Sequence, residues 1–135
     1  MVLRRLMIVQ MRASLSTIKT LQKNNVLEIK FLRRRDKPGS PPTRRMLCTG
    51  SLKLLNSPEG RIGLNFRPAY NRLSYNPDIK NLIVTWDIFM QDYRAVNMNA
   101  CDLLAVIPVT DFWNFFNEKK LGVMSPRDKI AFMNR

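Results

Sequence analysis

The chain has no histidine, only two cysteines and only five glycines among its 135 residues. Catalytic and metal sites that depend on imidazole are therefore excluded. Cys48 and Cys101 have no cysteine or histidine close to them in sequence, so the ligand spacing of a zinc site is absent. The scattered glycines form no phosphate-binding loop. We expect no catalytic residue, no metal and no cofactor, and we expect both cysteines to be buried free thiols because they lie in apolar, strand-like runs.

Acidic residues are scarce as well. The chain contains ten Asp and Glu and 23 Lys and Arg, which gives a net charge of +13. Residues 1–45 hold twelve basic and two acidic residues, whereas residues 46–135 hold eleven and eight. A concentrated excess of this kind favours a polyanionic partner, because neutralising phosphates releases condensed counterions.

Long hydrophobic runs are missing too. No apolar run approaches the ~20 residues that a membrane span requires, so we expect no membrane association. The apolar segment 7–11 is too short and broken for a secretory signal. The first 25 residues contain five basic residues and no acidic one. They are compatible with a mitochondrial presequence, or with a structured start whose short helix runs from Ser14 or Ser16 through Gln22 with Ile18 and Leu21 facing inward.

A basic hairpin organises the rest of the chain. From Val26 to Leu32 and from Arg45 to Thr49, apolar residues alternate with other residues, which predicts two strands with one buried face. The residues between them contain three prolines and a glycine, which end strands and form turns. The basic residues at this hairpin are Arg33, Arg34, Arg35, Lys37, Arg44 and Arg45. We expect them to form an exposed positive patch with no acidic cluster to neutralise it.

The middle of the chain contains weaker signals. Two apolar segments, 52–55 and 62–66, flank a turn signature at Asn56–Gly60. A loop follows at 67–78 and combines two tyrosines with two arginines, which is compatible with base stacking beside phosphate contacts or with tyrosines that only pack the loop. These four residues are Arg67, Tyr70, Arg72 and Tyr75.

The strongest strand signal runs from Asn81 to Asn97, with a turn near residues 90–92. We expect Trp86 to be buried against Leu27, Ile29 or Phe31 of the first strand. Asp87 and Asp92 lie near this turn, where such carboxylates usually end strands or pair with arginines rather than catalyse.

A further strand at 101–107 precedes a helical end of the chain. Phe112, Phe115 and Phe116 recur at helical spacing, which predicts an amphipathic helix over 110–120 that is capped by Thr110 or Asp111 and ends before Gly122. Ser125–Pro126 predicts the start of a last short helix.

Five or six short strands with these helices predict a mainly β, α+β fold, a small β-barrel with a short N-terminal helix and C-terminal helices. We expect a single domain over 1–135. Residues 1–25 form the basic N-terminal segment and helix, 26–107 the barrel and 108–135 the helical tail.

The residues from about 14 to 107 resemble a known family. The order is a short helix, an alternating strand, a basic hairpin, the segment Arg45–Thr49, a strand ending in Trp86–Asp87 and the aromatic–arginine pair Tyr93–Arg94. This order is similar to the Sm-like, SH3-type β-barrel proteins of tailed bacteriophages. The chain departs from that pattern in its long, proline-rich hairpin, in Tyr93 where Trp is usual, and in its helical tail. The resemblance implies a fold used to bind RNA, DNA or protein, implies no reaction, and would place the protein in the cytoplasm of a host cell.

Three functional hypotheses follow. The first is a nucleic-acid-binding module in which the hairpin cations contact phosphates, Tyr70, Tyr75 or Tyr93 stacks on bases, and Arg67, Arg72 and Arg94 add positive charge. The second is a protein-interaction or assembly factor that docks on a phage or host machine, suggested by the aromatic segment 112–116. The third is a mitochondrial ribonucleoprotein subunit, suggested by residues 1–25 alone. The sequence leaves RNA or DNA, strandedness and oligomeric state open.

Overall fold

A computed structural model contains thirteen short segments of secondary structure within the residues that it describes. It describes residues 7–32, 43–68, 77 and 80–133, the first five of them by backbone only. In chain order these are β1 (Met7–Arg12), α1 (Leu15–Leu21), β2 (Asn25–Leu32), β3 (Thr43–Thr49), α2 (Leu52–Leu55), α3 (Pro58–Gly63), β4 (Leu82–Asp87), β5 (Asp92–Asn97), a 3₁₀ turn (Met98–Ala100), β6 (Cys101–Pro108), α4 (Val109–Glu118), a second 3₁₀ turn (Leu121–Val123) and α5 (Pro126–Met133). The predicted α+β class is confirmed.

The strands form one antiparallel sheet in the order β1-β6-β2-β3-β4-β5. The connection between β5 and β6 shows that the sheet is strongly curled. Only Met98–Ala100 joins these two strands, although three other strands lie between them in the sheet. In a flat sheet four strand spacings would separate β5 from β6 by about 19 Å. Four extended peptide steps reach about 14 Å at most. Within the part of the chain that the structure describes, no pairing joins β5 to β1 or β6, so the sheet stays open and the predicted closed barrel is not found.

The concave side of the sheet encloses one hydrophobic core. Helix α1 covers it with Ile18, which is 1% exposed. Ser14, and not Ser16, caps this helix, since its Oγ accepts a hydrogen bond from the Thr17 amide at 3.3 Å. The strands contribute Leu27 and Ile29 from β2, Met46 and Cys48 from β3, Ile83 from β4, Val96 from β5 and Cys101 and Leu103 from β6.

The convex side packs against the remaining helices. Trp86 lies there, 2% exposed, with its ring 5.1 Å from that of Phe66 and 5.0 Å from that of Tyr93. The predicted burial of Trp86 is confirmed. Its predicted contact with Leu27, Ile29 or Phe31, which lie on β2, is wrong. Successive side chains of a strand point to opposite faces, and Ile83 occupies the concave side, so Trp86 falls on the convex one. Its cluster includes Val26, Leu47, Leu54, Leu55, Leu64, Ile107, Phe112, Leu121 and Met133.

Residues 52–55 and 58–63 are helical where the sequence indicated apolar segments around a turn. Ser51 caps α2 by accepting from the Leu54 amide, and Ser57 caps α3 by accepting from the Gly60 amide at 2.9 Å. Pro58 is the first residue of α3, where its missing amide costs nothing. Proline and glycine here begin a helix and permit close packing, because a side chain on Gly60 would collide with the carbonyls of α2.

Helix α4 differs from the prediction at both ends. It begins after Pro108 without a side-chain cap, so the predicted caps Thr110 and Asp111 lie inside its first turn. It ends where Lys120 adopts a left-handed conformation, φ 55°, ahead of Gly122. The cap of α5 is as predicted, since Ser125 Oγ accepts from the Asp128 amide at 3.1 Å.

The α4 phenylalanines are not equally buried, which gives a stability prediction. Phe112 is 0% exposed, whereas Phe115 and Phe116 are half-buried. Phe112→Ala should lower the free energy of unfolding by about 3–5 kcal/mol, because it removes a fully packed ring. Phe115→Ala should cost clearly less, and exposed Asn114→Ala serves as the control. Urea titrations would contradict this assignment if Phe115→Ala were the costlier variant.

Candidate nucleic-acid interface

The stem of the basic hairpin is a continuous ladder. Strands β2 and β3 pair residue for residue from Val26 with Thr49 to Leu32 with Thr43. The predicted pairing of the two strands is therefore confirmed. Segment 33–42 connects Leu32 and Thr43, the last pair of the ladder. Seven predicted site residues lie outside the described residues: Arg33, Arg34, Arg35, Lys37, Tyr70, Arg72 and Tyr75.

The Asp87 carboxylate lies beneath this stem and is 1% exposed. Its Oδ1 accepts hydrogen bonds from the amides of Phe89 at 3.1 Å and Met90 at 3.0 Å, which ends β4 and shapes the turn to β5. Its Oδ2 accepts from Arg44 Nη2 on β3 at 2.8 Å, and Arg94 Nε on β5 lies 4.0 Å away. One buried carboxylate on β4 thus links β3, β4 and β5. From the sequence we expected such a carboxylate to pair with arginines.

Arg44 and Arg45 are less available than the sequence suggested. Both side chains are 28% exposed. Arg44 pairs with Asp87, and on the other face of β3 Arg45 Nη1 lies 3.5 Å from the Glu28 carboxylate. We expected no acidic cluster to neutralise the hairpin, but a single carboxylate pairs with each of these two residues. Pairing across strands brought the acids close, and this could not be read from their distance in sequence.

The other two described candidates have different surroundings. Arg94 is 43% exposed and joins Arg44 at Asp87. Arg67 is exposed and follows buried Phe66 in the segment after α3. The structure thus brings Arg44 and Arg94 together on one carboxylate and places Arg45 on the opposite face of the sheet.

A groove of about 410 Å³, which sequence reasoning missed, lies beside the stem. Its walls come from β3, from the turn after β4 and from α5. Lys129 spans it, with Nζ 3.5 Å from the Phe89 carbonyl oxygen and 5.9 Å from the centre of the Phe89 ring. Three cations and one carboxylate line the groove: Arg44, Arg45, Lys129 and Asp87. The available signal was the helical spacing of Ile130 and Met133 along α5, but this spacing did not identify β3 as the partner of the helix.

The cysteine thiols are buried and free, as predicted. Burial in the concave core raises the pKa of Cys48 to about 12 and that of Cys101 to about 11. Both thiols therefore stay protonated near neutral pH, which makes them weak nucleophiles and weak metal ligands.

Two other features are absent from the residues that the structure describes. None of their helices has the length and apolar character to cross a membrane. The same residues contain no group of three or more His, Cys, Asp or Glu placed to hold a metal ion.

Comparisons of the chain with protein-family models, with curated proteins and with solved structures gave no match.

The pairing of Asp87 with two arginines predicts a strong effect of its charge. Asp87→Asn keeps an oxygen for the two turn amides but removes the carboxylate that Arg44 and Arg94 share, so it should lower the free energy of unfolding by about 2–3 kcal/mol. Asp92→Asn is the matched control, because exposed Asp92 bonds only its neighbour's amide in the described residues. Equal losses in urea titrations of the two variants would mean that the ion pairs contribute nothing.

Proposed function

We propose that this protein binds the phosphate backbone of a nucleic acid through segment 33–42, with little sequence preference. The observation that carries the proposal is the ladder between β2 and β3. Its last pair, Leu32 with Thr43, holds both ends of a ten-residue segment with four basic residues and one acidic residue. The ordered strands thus hold both ends of a segment whose formal net charge is +3. Contacts of this type neutralise and position phosphates and carry no sequence information.

The roles of the candidate residues divide. Arg33, Arg34, Arg35 and Lys37 are the phosphate ligands of the proposal. Arg44 and Arg94 support the stem through Asp87, and Arg45 contributes the part of its charge that Glu28 leaves uncompensated. Arg67 and Arg72 would extend the positive surface, and Tyr70 and Tyr75 would stack on unpaired bases. The protein is in this account a binding module and not an enzyme.

The proposed fold family is the Sm-like, SH3-type barrel of tailed bacteriophages. Two features support it. The consecutive strands β2 to β6 are curled, and the last of them returns to pair with the first. A single 3₁₀ turn joins β5 to β6. If the chain is phage-encoded, its place is the host cytoplasm; the mitochondrial alternative rests on the acid-free first 25 residues.

The aromatic segment that suggested protein docking is largely used inside the fold. Phe112 is fully buried, and Trp113, Phe115 and Phe116 pack against the same core. A docking role therefore loses that argument, and the groove beside β3 is the surface on which such a role would rest.

The proposal predicts how the salt dependence of binding changes. A variant with Arg33, Arg34, Arg35 and Lys37 changed to Ser should flatten the log–log slope of duplex affinity against salt by about 0.9 for each phosphate that is no longer neutralised. It should weaken binding to all sequences alike. The matched control changes four exposed cations elsewhere to Ser: Lys23, Lys53, Arg61 and Lys119. Both variants carry a net charge of +9, so only the placement of the charge differs.

Titrations of single-stranded DNA, duplex DNA and RNA at several salt concentrations provide the measurement. Equal slopes for the two variants would show that total charge, and not the hairpin, drives binding. Absence of salt-dependent binding by the unaltered protein to all three nucleic acids would refute the proposal.

A further inference from the structure

Strand β3 extends beyond the end of β4, its neighbour on the side away from β2. It pairs with β4 only at Cys48 with Asp87 and at Thr49 with Trp86, and the Ile88 amide adds one bond to the Leu47 carbonyl at 2.9 Å. The chain then turns away through a bond from the Gln91 amide to the Asp87 carbonyl. Residues 43–46 therefore have β2 on one side and, in the described parts of the chain, no strand on the other.

The free side of β3 presents backbone hydrogen-bonding groups at strand spacing. The Leu47 carbonyl points toward β4, and alternate residues of an antiparallel strand point their N–H and C=O groups the same way. Thr43 and Arg45 therefore direct theirs toward the same side as Leu47. The described residues of the turn and of α5 make no backbone hydrogen bond to either residue. Such an edge is a template for an additional strand.

The groove follows this edge. Met46 belongs to the concave core and Leu47 to the convex one, and both line the groove together with Arg44 and Arg45. Residues from both faces of a strand share one groove only along the strand's edge. The four lining residues of β3, 44–47, give the groove a length of about 13 Å.

The composition of the walls defines the occupant. The lining carries a net charge of +2, from three cations and the buried Asp87 carboxylate. Its apolar surface includes Met90 and Ile130, which are 57% and 62% exposed. We propose that the groove binds an extended acidic peptide of a partner protein, which adds a strand to β3 and places alternate apolar side chains against α5.

A peptide fits these features better than a nucleic-acid strand does. Only a peptide backbone supplies donors and acceptors that match those of Thr43 and Arg45 in spacing. The Phe89 ring, the aromatic side chain in the lining, already makes an edge contact with Phe132 at 5.6 Å and lies under Lys129. This proposal does not depend on nucleic-acid binding by segment 33–42, because it uses other residues.

The test uses the full chain and a fluorescent peptide of about six residues that alternates glutamate with valine, followed by anisotropy. Two further peptides carry N-methyl groups on the glutamate amides in one case and on the valine amides in the other. In a strand added to β3, every second peptide amide points toward β3. Methylation of those amides removes the N–H donors, so one methylated peptide should bind about tenfold more weakly, whereas the other should bind as the unmethylated peptide does. Equal affinity of all three peptides, equal weakening of both methylated peptides, or no binding of the unmethylated peptide would overturn the proposal.

Variants of the protein give an independent result. Thr43→Pro removes an N–H on the free side of β3 and leaves the bonds to β2 intact, so it should weaken peptide binding about tenfold. Thr43→Val keeps the N–H and should bind as the unaltered protein does. If the Thr43→Pro variant does not fold, the methylated peptides still test the proposal, because they are measured with the unaltered protein.

The nucleic-acid alternative is tested in the same assay. The hairpin variant with Ser at 33, 34, 35 and 37 should keep its peptide affinity even if it loses nucleic acid. A single-stranded oligonucleotide that displaces the peptide competitively and no longer binds the Thr43→Pro variant would assign the groove to nucleic acid and overturn the peptide proposal.

Discussion

The ion pairs and hydrogen bonds of the buried Asp87 carboxylate are the interactions on which the arrangement of β3, β4 and β5 depends. This carboxylate ends β4, closes the turn to β5 through the Phe89 and Met90 amides, and ties β3 and β5 together through Arg44 and Arg94. A charge that is 1% exposed is tolerable only because donors surround it. By ending β4 early, the same carboxylate leaves the far half of β3 free. The groove beside the hairpin stem results from that early end of β4.

The sequence predicted the elements whose pattern is local. Alternation over 26–32 and 81–97, and the Ser125–Pro126 signal, identified strands and a helix start that the structure contains. It was less successful where tertiary contacts decide. Ser57–Pro58 has the composition of a turn and begins a helix, because Gly60 can pack against the carbonyls of α2. The face on which Trp86 lies depends on the curl of the sheet, which no single strand encodes.

The candidate site was predictable in part for the same reason. Clustered cations between two alternating runs are visible in the sequence, and so is the hairpin that holds them. The neutralisation of Arg44 by Asp87 and of Arg45 by Glu28 is not, because these pairs join residues on neighbouring strands. The groove was missed because α5 and β3, which line it together, are about 80 residues apart in the sequence. As a result, two features meet at β3: the basic segment 33–42 precedes it in sequence, and residues 43–46 have no strand on one side within the described residues.

Amide chemical shifts of the isotope-labelled protein, followed while a single-stranded oligonucleotide of about 12 residues is added, test the central claim most directly. The account predicts that the largest changes fall on residues 33–42 and on Leu32 and Thr43, the last pair of the stem, and that they fade as salt is raised. Largest changes on α1 or α4, with residues 33–42 unaffected, would contradict it.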